Sequence, residues 1–162
     1  MNNSLVKQYI DDQPVKVVTK LDLSAGKLAY DKIIQCQKRT DAKPEELCRA
    51  YLLTKLVNEL GYAPDKIEIE HEYTAGRPHT ITSRIDIIVR DANGDAFLFI
   101  EVKNQEEYAT IDKDSVIEEQ LFKLAGMERT EGHDVKYLVL YTTNDASGSI
   151  SDECIIIDNQ KY

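Results

Sequence analysis

The sequence has 162 residues, 30% of them charged, and a formal net charge of −9 at pH 7. That length fits one domain, with 1–43 expected as an N-terminal extension packed on a core of 44–144 and 145–162 as an added C-terminal strand. An apolar stretch long enough to cross a bilayer is absent, as is the apolar core of a signal peptide, so we expect a cytoplasmic protein without a membrane partner. The acidity argues against unaided nonspecific binding to nucleic acid.

The first 43 residues carry secondary-structure signals but no recognisable chemistry. Val15 to Lys20 predicts a short strand, and Ala25 to Arg39 predicts a helix with a few apolar contacts. We therefore expect this segment to support a core that begins at Pro44.

Residues 44–60 predict the first helix of the core. A proline at the start and a glycine directly after the last turn mark its ends. Its apolar stripe, followed backwards in helical steps of three and four residues, reaches Glu46 rather than Glu45. An acid on the core face needs a partner, and Arg49 lies three positions further on, where an ion pair forms readily. Glu46 is therefore the preferred candidate for chemistry, and Glu45 is the second choice.

A predicted β-hairpin follows, and it is the most informative part of the chain. Two runs rich in β-branched and aromatic residues flank Asn93-Gly94, the strongest short signal for a hairpin turn. A two-residue turn at this point fixes the register of the two strands. The opposed pairs in that register are Ala92 with Asp95, Ile88 with Phe99, and Asp86 with Glu101.

This register places two acids, Asp86 and Glu101, opposite each other, which is unfavourable unless something positive lies between them. Side chains alternate along a strand, so Lys103 projects from the same face as Glu101. A hard divalent cation such as Mg2+ prefers carboxylate oxygens and often shares them with phosphate oxygens. With an ammonium group beside it, such a site suits hydrolysis of a phosphodiester bond. The plainer alternative is a surface ion pair between Lys103 and one of the acids, which contributes little to stability.

The remaining segment predicts one helix and two strands. Residues 115–129 have a capping-box start and carry Gln120 at the border of the apolar face. Residues 135–142 predict a buried strand, and 152–158 predict an added strand at the edge of the sheet.

Taken in order, these features resemble the PD-(D/E)XK nuclease superfamily, and within it the N-terminal nuclease domain of the restriction (R) subunit of type I restriction enzymes. The superfamily motif is an acid followed by an acid-any-lysine triplet, represented here by Asp86 and by Glu101-Val102-Lys103. Other features of the resemblance are Pro44-Glu45-Glu46, Arg49, Glu70, Arg84, Gln120 and Thr143-Asn144.

The resemblance implies both a fold and an activity. The implied fold is α/β (α+β), a restriction-endonuclease-like core with the order α-β-β-β-α-β and a central mixed sheet flanked by helices. The implied activity is that of a hydrolase, a magnesium-dependent endonuclease that cleaves DNA, with Mg2+ or Mn2+ as the cofactor. The implied metal ligands are Asp86, Glu101 and Val102. The implied catalytic residues are Asp86, Glu101, Lys103, Glu46 and Gln120. Arg84 and Arg77 are expected near the proposed site, where they could contact DNA phosphates, and the alternative for Arg77 is a solvated loop.

The partners that follow from the resemblance are DNA and other subunits of a restriction system. Full restriction subunits continue into a translocating motor, for which 162 residues leave no room. We therefore expect motor, specificity or methyltransferase subunits as protein partners. The alternative to an active nuclease is a non-catalytic module with a nuclease fold that binds or assembles such a partner.

Overall fold

The computed structural model describes residues 4–35, 41–75 and 80–161. A mixed six-stranded sheet forms its centre, with strands in the order β3 (Ile34–Gln35), β4 (Ile67–Ala75), β5 (Thr80–Arg90), β6 (Ala96–Val102), β7 (Val135–Asn144) and β8 (Ser151–Asp158). The pairs β3–β4 and β6–β7 are parallel, and the other pairs are antiparallel. A separate antiparallel hairpin is formed by β1 (Val18–Asp22) and β2 (Lys27–Tyr30).

Helices cover both faces of the sheet. They are α1 (Ser4–Asp11), α2 (Pro44–Asn58), α3 (Gln105–Thr110), α4 (Lys113–Val116) and α5 (Lys123–Thr130), with a π-helical segment (Ile117–Phe122) joining α4 to α5. The helix α2 packs on one face, where its buried side chains meet those of Ile87 and Val102. The π-helical segment and α5 pack on the opposite face, where their buried leucines meet Phe99 and Leu138. The predicted central mixed sheet with flanking helices is therefore confirmed. Within the described ranges, none of the helices is long and apolar enough to span a bilayer.

The helix α2 begins at Pro44, as predicted, and ends at Asn58 rather than at residue 60. Gly61 takes the left-handed φ of +75° that suits a residue after a helix end. The predicted apolar stripe is too long, because Leu60 is 57% exposed. The buried side includes Glu46, as predicted, and also Arg49 in the next turn.

The predicted hairpin exists, but its turn differs from the predicted one. Ile88 pairs with Phe99 as expected, and the ladder continues to Ile87 with Ile100. The predicted pairing of Ala92 with Asp95 is wrong, because the turn spans residues 91–94 and a β-bulge lies between the Val89–Leu98 and Arg90–Ala96 pairs. The longer turn and the bulge compensate each other, so the register next to Asp86 is unchanged.

The prediction of a helix from Ala25 to Arg39 is wrong for residues 25–35, and residues 36–39 lie outside the described residues. The chain turns back after Asp22, whose carboxylate accepts hydrogen bonds from the backbone N–H groups of Ser24 and Ala25. Gly26 completes the turn with a φ of +63°, and β2 follows. Short polar side chains that satisfy nearby N–H groups favour turns over helices, and this local chemistry outweighs the apolar spacing.

The helix predicted for residues 115–129 begins two residues earlier than expected. Asp112, rather than Ser115, is the capping residue, and its carboxylate accepts from the Ser115 N–H. Helical structure then continues through the π-helical segment to Thr130. The strand β8 lies at the sheet edge, beside β7, where the sequence predicts a strand.

Candidate active site

Three acids lie at nearly the same level across three neighbouring strands. The pairing of β4 with β5 places Glu70 and Asp86 at the same step, and the pairing of β5 with β6 places Glu101 one step beyond the last paired residues. Glu70 is 3% exposed and has a φ of +58°, a left-handed conformation that costs a non-glycine residue energy. Unusual backbone of this kind persists only where the surrounding contacts hold it.

The predicted motif residues come together at the end of β6. The N–H of Val102 donates to Oδ2 of Asp86 at 2.8 Å, which fixes that carboxylate against the neighbouring strand. The ammonium of Lys103 donates to Oε1 of Glu101 at 2.9 Å. Because the alternation along β6 is regular, Val102 faces the α2 core while Glu101 and Lys103 share the opposite side.

The two carboxylates oppose each other's ionisation. Burial, and then the charge of Asp86, raise the pKa of Glu101 to about 8. Burial also raises the pKa of Asp86, although Arg49, the Val102 N–H and Lys103 act in the opposite direction. For Lys103, burial lowers the pKa, but the adjacent Glu101 more than compensates, and the pKa rises above its usual value. Burial and the charge of Asp86 therefore both favour the protonated form of Glu101.

Glu46, the preferred helical acid, belongs to a buried network centred on Arg49. The Arg49 guanidinium donates to both oxygens of Glu46, at 2.7 and 2.6 Å, and to Oε1 of Glu70 at 2.7 Å. The same guanidinium lies 3.8 Å from Oδ1 of Asp86. From the N-terminal hairpin, Tyr30 donates to Glu46 at 2.6 Å. Glu46 therefore reaches Asp86 through Arg49.

Glu45, the second choice in the sequence, is the helical acid that interacts with the motif residues. Burial, and then the charge of Asp86, raise the pKa of Glu45, whereas Lys103 lowers it. A cavity of about 10 Å³, roughly the space of one water molecule, lies between the start of α2 and the strands β4 to β6. It is lined by Glu45, Glu46, Arg49, Glu70, Asp86 and Val102.

Gln120 and Arg84 line a separate cleft between β5 and the helix that follows α4, and this cleft shares no lining residue with the small cavity at Asp86. The exposed Gln120 belongs to the π-helical segment, a conformation often found at functional sites. The Arg84 guanidinium donates to Glu72 at 3.1 Å. The cleft has a volume of about 280 Å³ and is lined by Ser83, Arg84, Glu119, Gln120, Lys123 and Leu124. Arg77, the other predicted DNA contact, lies outside the described residues.

A second group of ligand-type side chains lies between β4 and α5. His71, Glu128 and Glu131 bring one ligand atom each within 4.8 Å of one another. Both oxygens of Glu128 already accept hydrogen bonds, from Tyr73 at 2.5 Å and from Arg90 at 2.6 Å. This cluster therefore connects β4 and β5 to α5 as a satisfied polar network.

The segment that contains the motif residues also matches a known family. A family profile described as the type I restriction enzyme R protein N terminus matches residues 44–144, which is more than half of the chain. The chain belongs to this type I R protein N-terminus family. The resemblance inferred from the sequence is thereby confirmed, and the chain is related to restriction systems. A comparison with curated proteins gives no match.

The donor set in this family member fits a hard divalent cation. Asp86 and Glu101 offer carboxylate oxygens, and burial raises the pKa of each. Mg2+ and Mn2+ take such oxygen ligands together with waters or phosphate oxygens. Among the described residues, no cysteine or histidine, the ligands of zinc sites, lines the small cavity beside Asp86.

Sequence reasoning missed two contributors to the site. Arg49 was interpreted as a simple partner for Glu46, and its reach to Glu70 and Asp86 depends on how α2 packs on the sheet. Tyr30 gave no signal at all, because it lies in a segment with the wrong predicted secondary structure. A buried arginine among three acids is recognisable only once the elements have been placed.

Proposed function

We propose that this chain is a metal-dependent endonuclease module that hydrolyses phosphodiester bonds in DNA as part of a restriction system. The main support is the hydrogen bond from Val102 to Asp86, which holds that carboxylate one strand away from the Glu101–Lys103 ion pair. These residues all lie within the segment that matches the type I R protein N-terminus family. An acid, a second acid and a lysine in this arrangement are the groups that phosphodiester hydrolysis needs.

The residues take separate roles in this proposal. Asp86, Glu101 and Val102 would hold Mg2+ or Mn2+, which when bound stabilises negative charge on the phosphoryl group and makes water a better nucleophile. The ammonium of Lys103, oriented by Glu101, stabilises the charge that develops on the phosphate in the transition state.

The other predicted residues act around this centre. Glu46 is a positioning residue, because its carboxylate holds Arg49 rather than facing the motif. Gln120 and Arg84 line the cleft between β5 and α5, where an amide and a guanidinium suit contacts to the DNA backbone. Arg77 is assigned a similar contact from the sequence alone.

The experiment that tests the proposal is cleavage of supercoiled plasmid DNA in the presence of Mg2+ or Mn2+. We expect cleavage by the wild-type protein and none in EDTA. For Lys103→Ala we expect the cleavage rate to fall by a factor of about 10² or more, because a group that stabilises charge in the transition state is lost. The matched control is Lys66→Ala, which removes an exposed lysine far along the chain from the motif. Equal cleavage by Lys103→Ala and the wild type would contradict the proposed role of the site.

The net charge of −9 favours a second candidate, a nuclease-fold module that assembles with a motor, specificity or methyltransferase subunit without cutting DNA itself. An acidic surface gives up the phosphate attraction that supports nonspecific DNA binding. The same cleavage assay, combined with a metal-binding measurement, distinguishes the two candidate functions. Metal binding without cleavage, even when DNA is in excess, would favour the assembly module.

A further inference from the structure

Arg49 is the most enclosed charge near the proposed metal site. Arg49 is 2% exposed, and its guanidinium lies between α2 and the sheet. One edge of the guanidinium, formed by Nε and one terminal nitrogen, contacts Glu46 at 3.1, 2.7 and 2.6 Å. The other terminal nitrogen contacts Glu70 at 2.7 Å and faces Asp86 at 3.8 Å. Both oxygens of Glu46, one oxygen of Glu70 and one oxygen of Asp86 therefore face a single fixed cation.

The carboxylates of the site divide into two groups around Asp86. On one side, Glu101 contacts Lys103, and Oδ2 of Asp86 is held by the Val102 N–H. On the other side, Oδ1 of Asp86 faces Arg49, which also holds Glu46 and Glu70. A second divalent cation would need further carboxylates beside Asp86. Arg49 holds Glu46 and Glu70, and Glu45 lines the same small cavity as Arg49.

We infer that Arg49 takes the place of a second metal ion, so that the site binds a single divalent cation between Asp86 and Glu101. This inference rests on the proposed metal site. A guanidinium keeps its charge at all accessible pH values and matches carboxylates with a rigid fork of donors. Because it is covalently attached to the chain, it cannot dissociate as a metal ion can. A divalent cation added on the Arg49 side would meet this buried charge in a medium that screens poorly. Arg49 thereby sets the number of metal ions and acts as a positioning residue for Asp86.

The test is a titration with Mn2+, in which electron paramagnetic resonance measures the free Mn2+. The number of Mn2+ ions at the proposed site is the number bound by the protein minus the number bound by its Asp86→Asn counterpart. Counting in this way removes any contribution of the His71, Glu128 and Glu131 cluster. The wild-type protein is expected to bind one Mn2+ per chain. Glu70→Gln is expected to bind the same number, because Glu70 belongs to Arg49 and not to the metal.

Arg49→Met is expected to raise the count to two, since Glu46 and Glu70 then lose their cation. The matched control is Arg129→Met, which removes an exposed arginine and should leave the count at one. If circular dichroism shows that Arg49→Met does not fold, the Glu70→Gln variant decides the question. Two Mn2+ on the wild-type protein, or a lower count for a folded Glu70→Gln variant, would overturn the inference.

These outcomes also separate the inference from the proposed nuclease activity. One Mn2+ per chain with no DNA cleavage would support the role of Arg49 and contradict the activity. Two Mn2+ per chain with cleavage would contradict the role of Arg49 alone. A wild-type protein that binds no Mn2+ would contradict both.

Discussion

Glu101 is a buried carboxyl group whose surroundings favour its protonated form. Its usual pKa of 4.5 rises to about 8 because of burial and the nearby Asp86. A group with a raised pKa in the folded state binds a proton that the unfolded chain has already released. Its contribution to stability is therefore complete below pH 4.5 and disappears as the pH approaches about 8.

This shift predicts a pH dependence of stability that a chelator should reveal. In EDTA, the free energy of unfolding should fall as the pH rises from 4.5 to about 8, and Glu101→Gln should remove most of that fall because the variant has no proton to release. Urea denaturation at several pH values measures it. A wild-type stability that increases with pH over this interval, parallel to that of Glu101→Gln, would contradict the assignment of the raised pKa.

The same residue explains why a metal should bind more tightly in alkaline conditions. If Glu101 is a metal ligand, as proposed, a cation and a proton compete for its carboxylate. Saturating Mn2+ should therefore stabilise the protein more at about pH 8 than near pH 5.

The N-terminal hairpin of β1 and β2 contributes directly to the candidate site, although it lies outside the segment that matches the family. Its last residue, Tyr30, donates a 2.6 Å hydrogen bond to Glu46 in a fully buried setting. Burial, and then the charge of Glu46, keep the pKa of this tyrosine well above its usual value, so the hydroxyl remains a donor. The chain Tyr30–Glu46–Arg49 thus connects the hairpin to Asp86.

We predict that Tyr30→Phe lowers the free energy of unfolding by about 1.5–3 kcal/mol, the usual range for a hydrogen bond to a charged group. Thermal or urea denaturation measures the loss. Tyr62→Phe is the matched control, because Tyr62 is only partly buried and packs its ring against Phe97. Equal stabilities for the two variants would show that the hairpin is not coupled to α2 through this bond.

Sequence patterns predict the helices and strands of residues 44–144 far better than those before them. Pro44, the Asn93-Gly94 region and the apolar run from Val135 mark their elements through local chemistry. The Asp22 turn does so as well, but its signal competes with apolar spacing that suits a helix. The π-helical segment has no recognisable sequence pattern, because it arises where one extra residue is accommodated between two packed helical turns.

The candidate site is partly predictable for a related reason. Register and alternation fix Asp86, Glu101 and Lys103, because a strand pattern determines which side chains share a face. Helical periodicity correctly places Glu46 in the core, yet it cannot show that Arg49 and Tyr30 take up its carboxylate. Such contacts join elements that are distant in sequence, and only packing decides them.

The net charge of the chain limits how strongly it would bind DNA. A net charge of −9 gives little general attraction, so binding should depend on a few basic side chains at the cleft beside β5. We predict that Arg84→Ala weakens binding of all DNA sequences alike and makes the dependence of log K on log salt shallower by about 1. Fluorescence anisotropy with a labelled duplex at several salt concentrations measures the slope.

Arg129→Ala is the matched control for that prediction, since Arg129 is 68% exposed in its side chain and lies on α5 at the far end from Gln120. An unchanged salt dependence in Arg84→Ala would show that the cleft does not contact phosphate. In that case the assembly module would become the better description of the protein.

The decisive measurement is thermal melting with and without Mn2+ at fixed protein concentration, for the wild type, Asp86→Asn and the exposed control Asp65→Asn. If Asp86 and Glu101 hold a cation, Mn2+ should raise the melting temperature of the wild type and of Asp65→Asn by mass action but leave Asp86→Asn unchanged. Without metal, Asp86→Asn should relieve the repulsion of Glu101. A wild-type melting temperature that ignores millimolar Mn2+, or an Asp86→Asn variant that responds equally, would contradict a metal site at these carboxylates.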